Sequence, residues 1–266
     1  MTNEIKYIYI DDEPNSYRKV EGFGKQGELS VEFKQNESSW EKQFLFFSAN
    51  TQYDGLMLDL KLDGDKVPDG NGRNVRVAFG GTAIAQEIRT RQKRGLLKKQ
   101  IPIVLFSAND NVMLEDLGKN LFDLCIEKNE VSDDNMKTFR AQMIDLSNGY
   151  QLLAKNIGMS TIFKKSVKLI DSRFVREFEM LNKTPINVRV RFLLNEFINK
   201  QGLLIDEDVL AARLGIDKEK SADWDTLKMQ LTDLEYKGIF CNGWKRWWAS
   251  SLEKWWNDTI KEKSRL

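Results

Sequence analysis

Short apolar runs recur along the first 130 positions, and most of them close on polar groups. Ile5-Lys6-Tyr7-Ile8-Tyr9-Ile10 runs straight into Asp11-Asp12-Glu13-Pro14. Leu29 to Phe33 alternates in polarity. Leu56-Met57-Leu58 ends at Asp59, Ile101 to Phe106 ends in Ser107-Ala108, and Leu124-Cys125-Ile126 leads to Lys128. Apolar runs of this length bounded by turn residues read as strands of a buried sheet. Helical spacing lies between them, at Ser39 to Phe47, at Thr82 to Arg94 with Ile84, Ala85 and Ile88 on one face, and around Met113 to Leu121. Residues 63–79, rich in Gly, Asp and Asn, read as a loop. Strands alternating with helices predict an α/β domain with a doubly wound, five-stranded parallel sheet.

The pattern changes after residue 130. Val131 to Lys155 predicts one long helix, with Met136, Phe139, Met143, Leu146, Tyr150 and Leu153 in a 3-4-3-4-3 seam. That seam suits either packing on the domain's own sheet or pairing of two chains in a homodimer. Ser160 to Asn182 predicts a further helix, and Pro185 breaks it. Val188 to Asn199 predicts a helix, and Gly202-Leu203-Leu204-Ile205 a short strand. Asp206 caps a helix from Glu207 to Leu214 that Gly215 ends, and a last helix runs from about Asp223 to Tyr236. Trp244, Trp248, Leu252 and Trp255 follow helical spacing, so the Trp-rich end predicts either a terminal helix packed on its own core or a partner-binding surface.

Composition narrows the chemistry. Of 266 residues, 41% are hydrophobic and 30% charged, which suits a soluble globular protein expected in the cytoplasm, without membrane contact. The chain has no histidine, which removes histidine triads and histidine-rich zinc sites. Its two cysteines, Cys125 and Cys241, lie far apart, and no disulfide is expected. The net charge is +1, and neither half has the basic balance of an obvious nucleic-acid binder.

In parallel α/β sheets the chemistry sits beyond the carboxyl ends of the strands. Those ends present Asp11 and Asp12, Asp59, Ser107 and Lys128. Three carboxylates close together repel and call for a hard cation such as Mg²⁺. With Lys128 and the Ser107 hydroxyl, such a site can stabilise a phosphoryl group on Asp59.

This constellation, over residues 4–130, resembles the receiver domain of two-component response regulators. The resemblance implies a flavodoxin-like fold, with Asp59 as phosphoacceptor, Asp12 as direct Mg²⁺ ligand, and Asp11 assisting through water or a second contact. The Lys61 backbone carbonyl completes the metal set, and Ser107 and Lys128 hold the phosphoryl oxygens. The implied donor is a histidine kinase or phosphotransfer protein. The protein is then not an enzyme beyond taking phosphate from small donors and losing it again. Three features depart from the family. Asn129 follows Lys128 where proline is usual, Cys125 stands where a switch aromatic is common, and the 63–79 segment is longer than usual.

The expected organisation is a receiver at 1–130, a connecting helix at 131–158 and a mostly helical, winged-helix-like output domain at 159–266. The strings at 208–216 and 231–239 carry the resemblance to a winged helix-turn-helix, which implies DNA binding as a transcriptional regulator. Asp223, Asp225, Asp233 and Glu235 set against Lys228 and Lys237 oppose that reading, and keep open a protein effector bound by the Trp-rich domain.

Overall fold

The structure, a computed structural model, describes residues 4–263 apart from Pro14, Asp65, Lys98 and residues 109–119. Most of the helix expected around Met113 to Leu121 lies outside the described residues. The chain forms two compact units, residues 1–154 with 184–187, and 155–183 with 188–266.

The first unit opens with β1 (Ile5–Asp11), a single-turn α1 (Tyr17–Val20) that passes into a 3-10 turn, and β2 (Leu29–Gln35). Next come α2 (Trp40–Ala49), β3 (Gly55–Leu58), α3 (Gly81–Lys93), β4 (Ile103–Ser107), β5 (Leu124–Glu127) and α4 (Asp133–Ala154). Ser39 caps α2, accepting the Lys42 amide at 3.3 Å. The five strands pair parallel in the order β2-β1-β3-β4-β5, the flavodoxin-like winding. Ile8, Ile10, Leu56, Leu58, Ile103 and Leu105 from the strands meet Ile84 and Ile88 of α3 in one buried cluster. This places Asp11, Asp59, Ser107 and Lys128 at the carboxyl ends of β1, β3, β4 and β5.

Residues 63–79 are more than the loop expected. Val67–Pro68 pairs antiparallel with Asn74–Val75, while Val67 and Val77 are buried. The Asp69 carboxylate turns the tip by accepting the Asn71 and Arg73 amides at 2.7 and 3.1 Å.

The α4 seam is used inside the first unit. Met143, Leu146, Tyr150 and Leu153 are buried. The Tyr7 hydroxyl donates to the Met143 carbonyl at 2.8 Å, and Ser147 Oγ donates to Tyr7 at 3.0 Å. Near the start of β4, Arg89 donates to Asp123 at 2.7 Å and to the Tyr150 hydroxyl at 3.1 Å, and Tyr150 in turn donates to Asp123. Packing on its own sheet therefore accounts for the heptad-like spacing.

In the second unit the single helix expected at 160–182 is split. Lys164, at φ 49°, ends α5 (Met159–Phe163), and Asp171 starts α6 (Ser172–Met180) by accepting the Arg173 amide at 2.8 Å. Then follow α7 (Ile186–Leu193), a π turn at Leu194–Ile198, β6 (Leu204–Ile205), α8 (Glu207–Leu214), α9 (Trp224–Gln230), β7 (Trp247–Trp248) and α10 (Ala249–Lys263). Asp206 caps α8 as expected, accepting the Val209 amide at 2.9 Å. The helix expected to reach Tyr236 stops at Gln230 and continues only as a 3-10 turn at Thr232–Leu234.

The helical spacing from Trp244 onward is likewise interrupted. Trp247 and Trp248 form β7, which pairs antiparallel with β6 and bridges to Glu235. Trp224, Trp244, Trp247 and Trp248 are buried within this unit, whereas Trp256 is 44% exposed. The period-3.6 pattern came from large residues sharing a core, not from one helix.

Candidate functional site

Strand alternation and sheet order bring the acidic groups together. Asp11 is the last residue of β1 and Asp12 follows it. Asp59 follows β3, which lies beside β1, and its amide donates to the Ile10 carbonyl at 3.0 Å. Asp11, Asp12 and Asp59 are all buried, and a carboxylate oxygen from each lies within 4.8 Å of the others. Lys128, just past β5, reaches across to them. Its Nζ donates to Asp59 Oδ1 at 2.5 Å and to Asp11 Oδ2 at 3.1 Å. The Lys128 amide donates to the Ser107 carbonyl at 2.9 Å, which ties the two strand ends together. Ser107 itself is buried at the end of β4.

The two Asp59 oxygens are held differently. Oδ2 accepts the Lys61 amide at 2.8 Å, whereas Oδ1 faces the Lys128 ammonium. The start of α3 presses on the same residue. A Cβ at Gly81 would sit 2.0 Å from the Asp59 carbonyl oxygen, so only glycine fits there. The Gly81 amide donates to the Leu60 carbonyl at 2.9 Å.

Two participants escaped the strand-end reading. The Tyr9 hydroxyl donates a short hydrogen bond to Asp11 Oδ2. The rings of Tyr9 and Phe106 flank Lys128 Nζ at 5.8 and 5.5 Å from their centroids. Tyr9 and Asp11 are two apart on one strand and share a face, a signal the sequence did carry.

Burial and charge then divide the carboxylates. Burial alone would raise Asp11. The hydrogen bonds from Tyr9 and the Glu13 amide, with the charge of Lys128, outweigh it and hold Asp11 below the ordinary aspartate value. Asp59 lies above that value, because its burial and the neighbouring Asp11 charge outweigh Lys128 and the Lys61 amide. Tyr9 is pushed far up by burial and by Asp11 and stays a proton donor. Cys125 has its thiol pushed up to about 11 by burial, which leaves it unreactive.

The donors suit a small divalent cation. All are hard oxygens, and they are clustered and buried, with negative charge in excess of the single ammonium. Asp11, Asp12 and Asp59 are the residues that would hold it.

No family model matches the chain, and no curated protein matches it. Solved structures do. The response regulator receiver domain (CheY-like) from Methylobacillus flagellatus is 17% identical with a TM-score of 0.36, covering 52% of this chain and 96% of its own. The receiver domain of response regulator NarL from Mycobacterium tuberculosis is 15% identical with a TM-score of 0.39, covering 55% and 98%. The Mn²⁺-bound form of response regulator Rcp1 is 18% identical with a TM-score of 0.33, covering 51% and 89%. The expected doubly wound parallel topology is met in the first unit by its own strand order, with Asp11, Asp12, Asp59 and Lys128 gathered at one end of the sheet. No described helix is long and apolar enough to cross a membrane.

Proposed function

We propose that the chain is a two-component response regulator that accepts a phosphoryl group on Asp59. The observation that carries this reading is the buried Asp11–Asp12–Asp59 cluster bridged by Lys128. Asp59 Oδ2 is tied down by the Lys61 amide, so Oδ1 is the attacking atom. It forms the O–P bond as the donor's P–N bond breaks, and the released imidazole of a histidine kinase or phosphotransfer protein takes a proton from solvent. Lys128 leaves Oδ1 to neutralise a phosphoryl oxygen, and the Ser107 hydroxyl donates to another. Asp11, Asp12 and Asp59, with the Lys61 carbonyl, would hold Mg²⁺, which would supply charge neutralisation at the transferring group. Tyr9 keeps Asp11 ionised and oriented. Labelling by acetyl phosphate with Mg²⁺ tests this. It should occur in the wild type and vanish in Asp59→Ala, and labelling that persists in that variant rejects the assignment.

The second unit supplies the output. Its helix, strand, helix, helix and returning strand follow the order of a winged helix. The surface of α9 nevertheless suits a protein partner better than a phosphate backbone. Lys228, its basic residue, is spent on Glu207 at 2.8 Å and Asp225 at 2.9 Å. Asp225, Thr226, Met229 and Gln230 are the exposed remainder of the helix. Recognition helices usually offer uncommitted cations or amides to the groove. DNA binding is the second reading, favoured by the element order and by Gln230. A low-salt mobility shift of random duplex by the acetyl phosphate-treated chain separates them. Salt-sensitive binding supports DNA, and none supports a protein partner.

A further inference from the structure

The 63–79 segment enters the site through its first turn, at Gly64. A Cβ built on Gly64 would lie 2.7 Å from Asp12 Oδ2, inside any real contact distance. The atom it meets is the end of a side chain, not backbone, so the fold can yield cheaply by turning that carboxylate aside. Gly64 is exposed, and its φ lies outside the left-handed region, so the backbone itself does not demand glycine there. The cost of a methyl group therefore falls on the position of the Asp12 carboxylate rather than on stability.

The rest of the segment fixes where Gly64 sits. Asn36 Nδ2 donates to the Leu62 carbonyl at 3.0 Å on one side of it. Beyond it, Lys42 Nζ on α2 donates to the Asp69 carbonyl at 2.6 Å, Val67 and Val77 are buried, and Trp40 meets Phe79 edge-on at 5.3 Å. A hairpin pinned to α2 thus sets the gap into which Asp12 points.

We infer that this hairpin is a positioning element for the cation site, with bare Gly64 keeping the Asp12 carboxylate turned toward Asp11 and Asp59. The inference rests on the cation-binding reading above. By linkage, cation binding and hairpin seating stabilise each other equally.

The test uses the full chain, freed of metal with EDTA and titrated with MgCl₂ in a calorimeter, alongside thermal midpoints measured in EDTA. Gly64→Ala should keep the wild-type midpoint and bind Mg²⁺ about 10-fold or more weakly, the scale on which misplaced supporting groups act. Gly24→Ala is the control, since its Cβ would meet nothing closer than 3.5 Å, and it should change neither reading. Equal Mg²⁺ affinity in Gly64→Ala and wild type overturns the positioning role. So does a fall in midpoint that accompanies the loss of affinity, since that marks a merely structural glycine. A wild-type chain that binds no Mg²⁺ overturns the cation site itself, and this inference with it.

Discussion

Replacing Lys128 with methionine removes the fixed positive charge from the acidic cluster while keeping most of the side chain's volume. In the native chain Nζ lies 2.5 Å from Asp59 and 3.1 Å from Asp11, with only 13% of the lysine side chain exposed. At an effective dielectric of about 20, each contact near 4 Å is worth about 4 kcal/mol before desolvation is subtracted. Removing one partner of such a buried pair costs about 3–5 kcal/mol net. For a unit of this size each kcal/mol moves the midpoint by roughly 2–4 °C, so the first unit should melt about 6–20 °C lower at pH 7.5 in EDTA.

The penalty exists only while the carboxylates are ionised, and the pKa directions give its sign. Asp11 is depressed in the folded state, so its stabilisation is present above the ordinary carboxylate range and fades as pH falls through its folded value. Asp59 is raised, so its burial begins to cost above the ordinary carboxylate value and costs most once pH has risen through its higher folded value. Both make the loss of Lys128 worst at neutral pH and mildest in acid. Thermal unfolding read by pulsed hydrogen exchange and mass spectrometry reports β1 and β3 peptides separately from the second unit. A midpoint shift below about 2 °C at pH 7.5, or a shift no smaller at a pH well below the ordinary carboxylate range, would refute the electrostatic account.

Three other outcomes follow from the packing. Arg89→Met should destabilise the first unit by about 3–5 kcal/mol, because Asp123 is left buried without its cation, and the same exchange measurement reads it. Gly81→Ala should abolish acetyl phosphate labelling, since its Cβ would collide with the Asp59 backbone; wild-type labelling would show that α3 can retreat. In the second unit Trp247→Ala should cost about 3–5 kcal/mol in urea unfolding, whereas Trp256→Ala, at an exposed position, should cost little.

The first unit was legible because its information is local. Each strand centres on a short apolar run, and each candidate group lies at a strand end or directly after it, so order along the chain tracks position in the sheet. Tyr9 was overlooked because a tyrosine inside an apolar run reads as core, and its hydroxyl matters only once Asp11 is seen on the same face. The hairpin at 67–75 was hidden by glycine and asparagine, whose turn chemistry says little about the two-residue ladder they close. The second half was harder for a different reason. Trp244, Trp247 and Trp248 repeat at helical intervals, yet Trp247 and Trp248 are strand residues whose rings fill one core from β7. Periodicity reports which side chains share a buried surface, and a short strand entering a helix can mimic a helix alone. In the sequence Lys228 is one of two cations set against four acids, and only the structure shows it committed to Glu207 and Asp225.

Borohydride reduces an acyl phosphate to an alcohol and so leaves a mark that peptide mass spectrometry can place on a residue. After treatment of the full chain with acetyl phosphate and Mg²⁺, that mark should fall on the peptide containing Asp59, and should be lost when EDTA replaces the metal. A mark on another carboxylate, or none on the folded wild-type chain, would contradict the assignment of Asp59 as the phosphoryl acceptor.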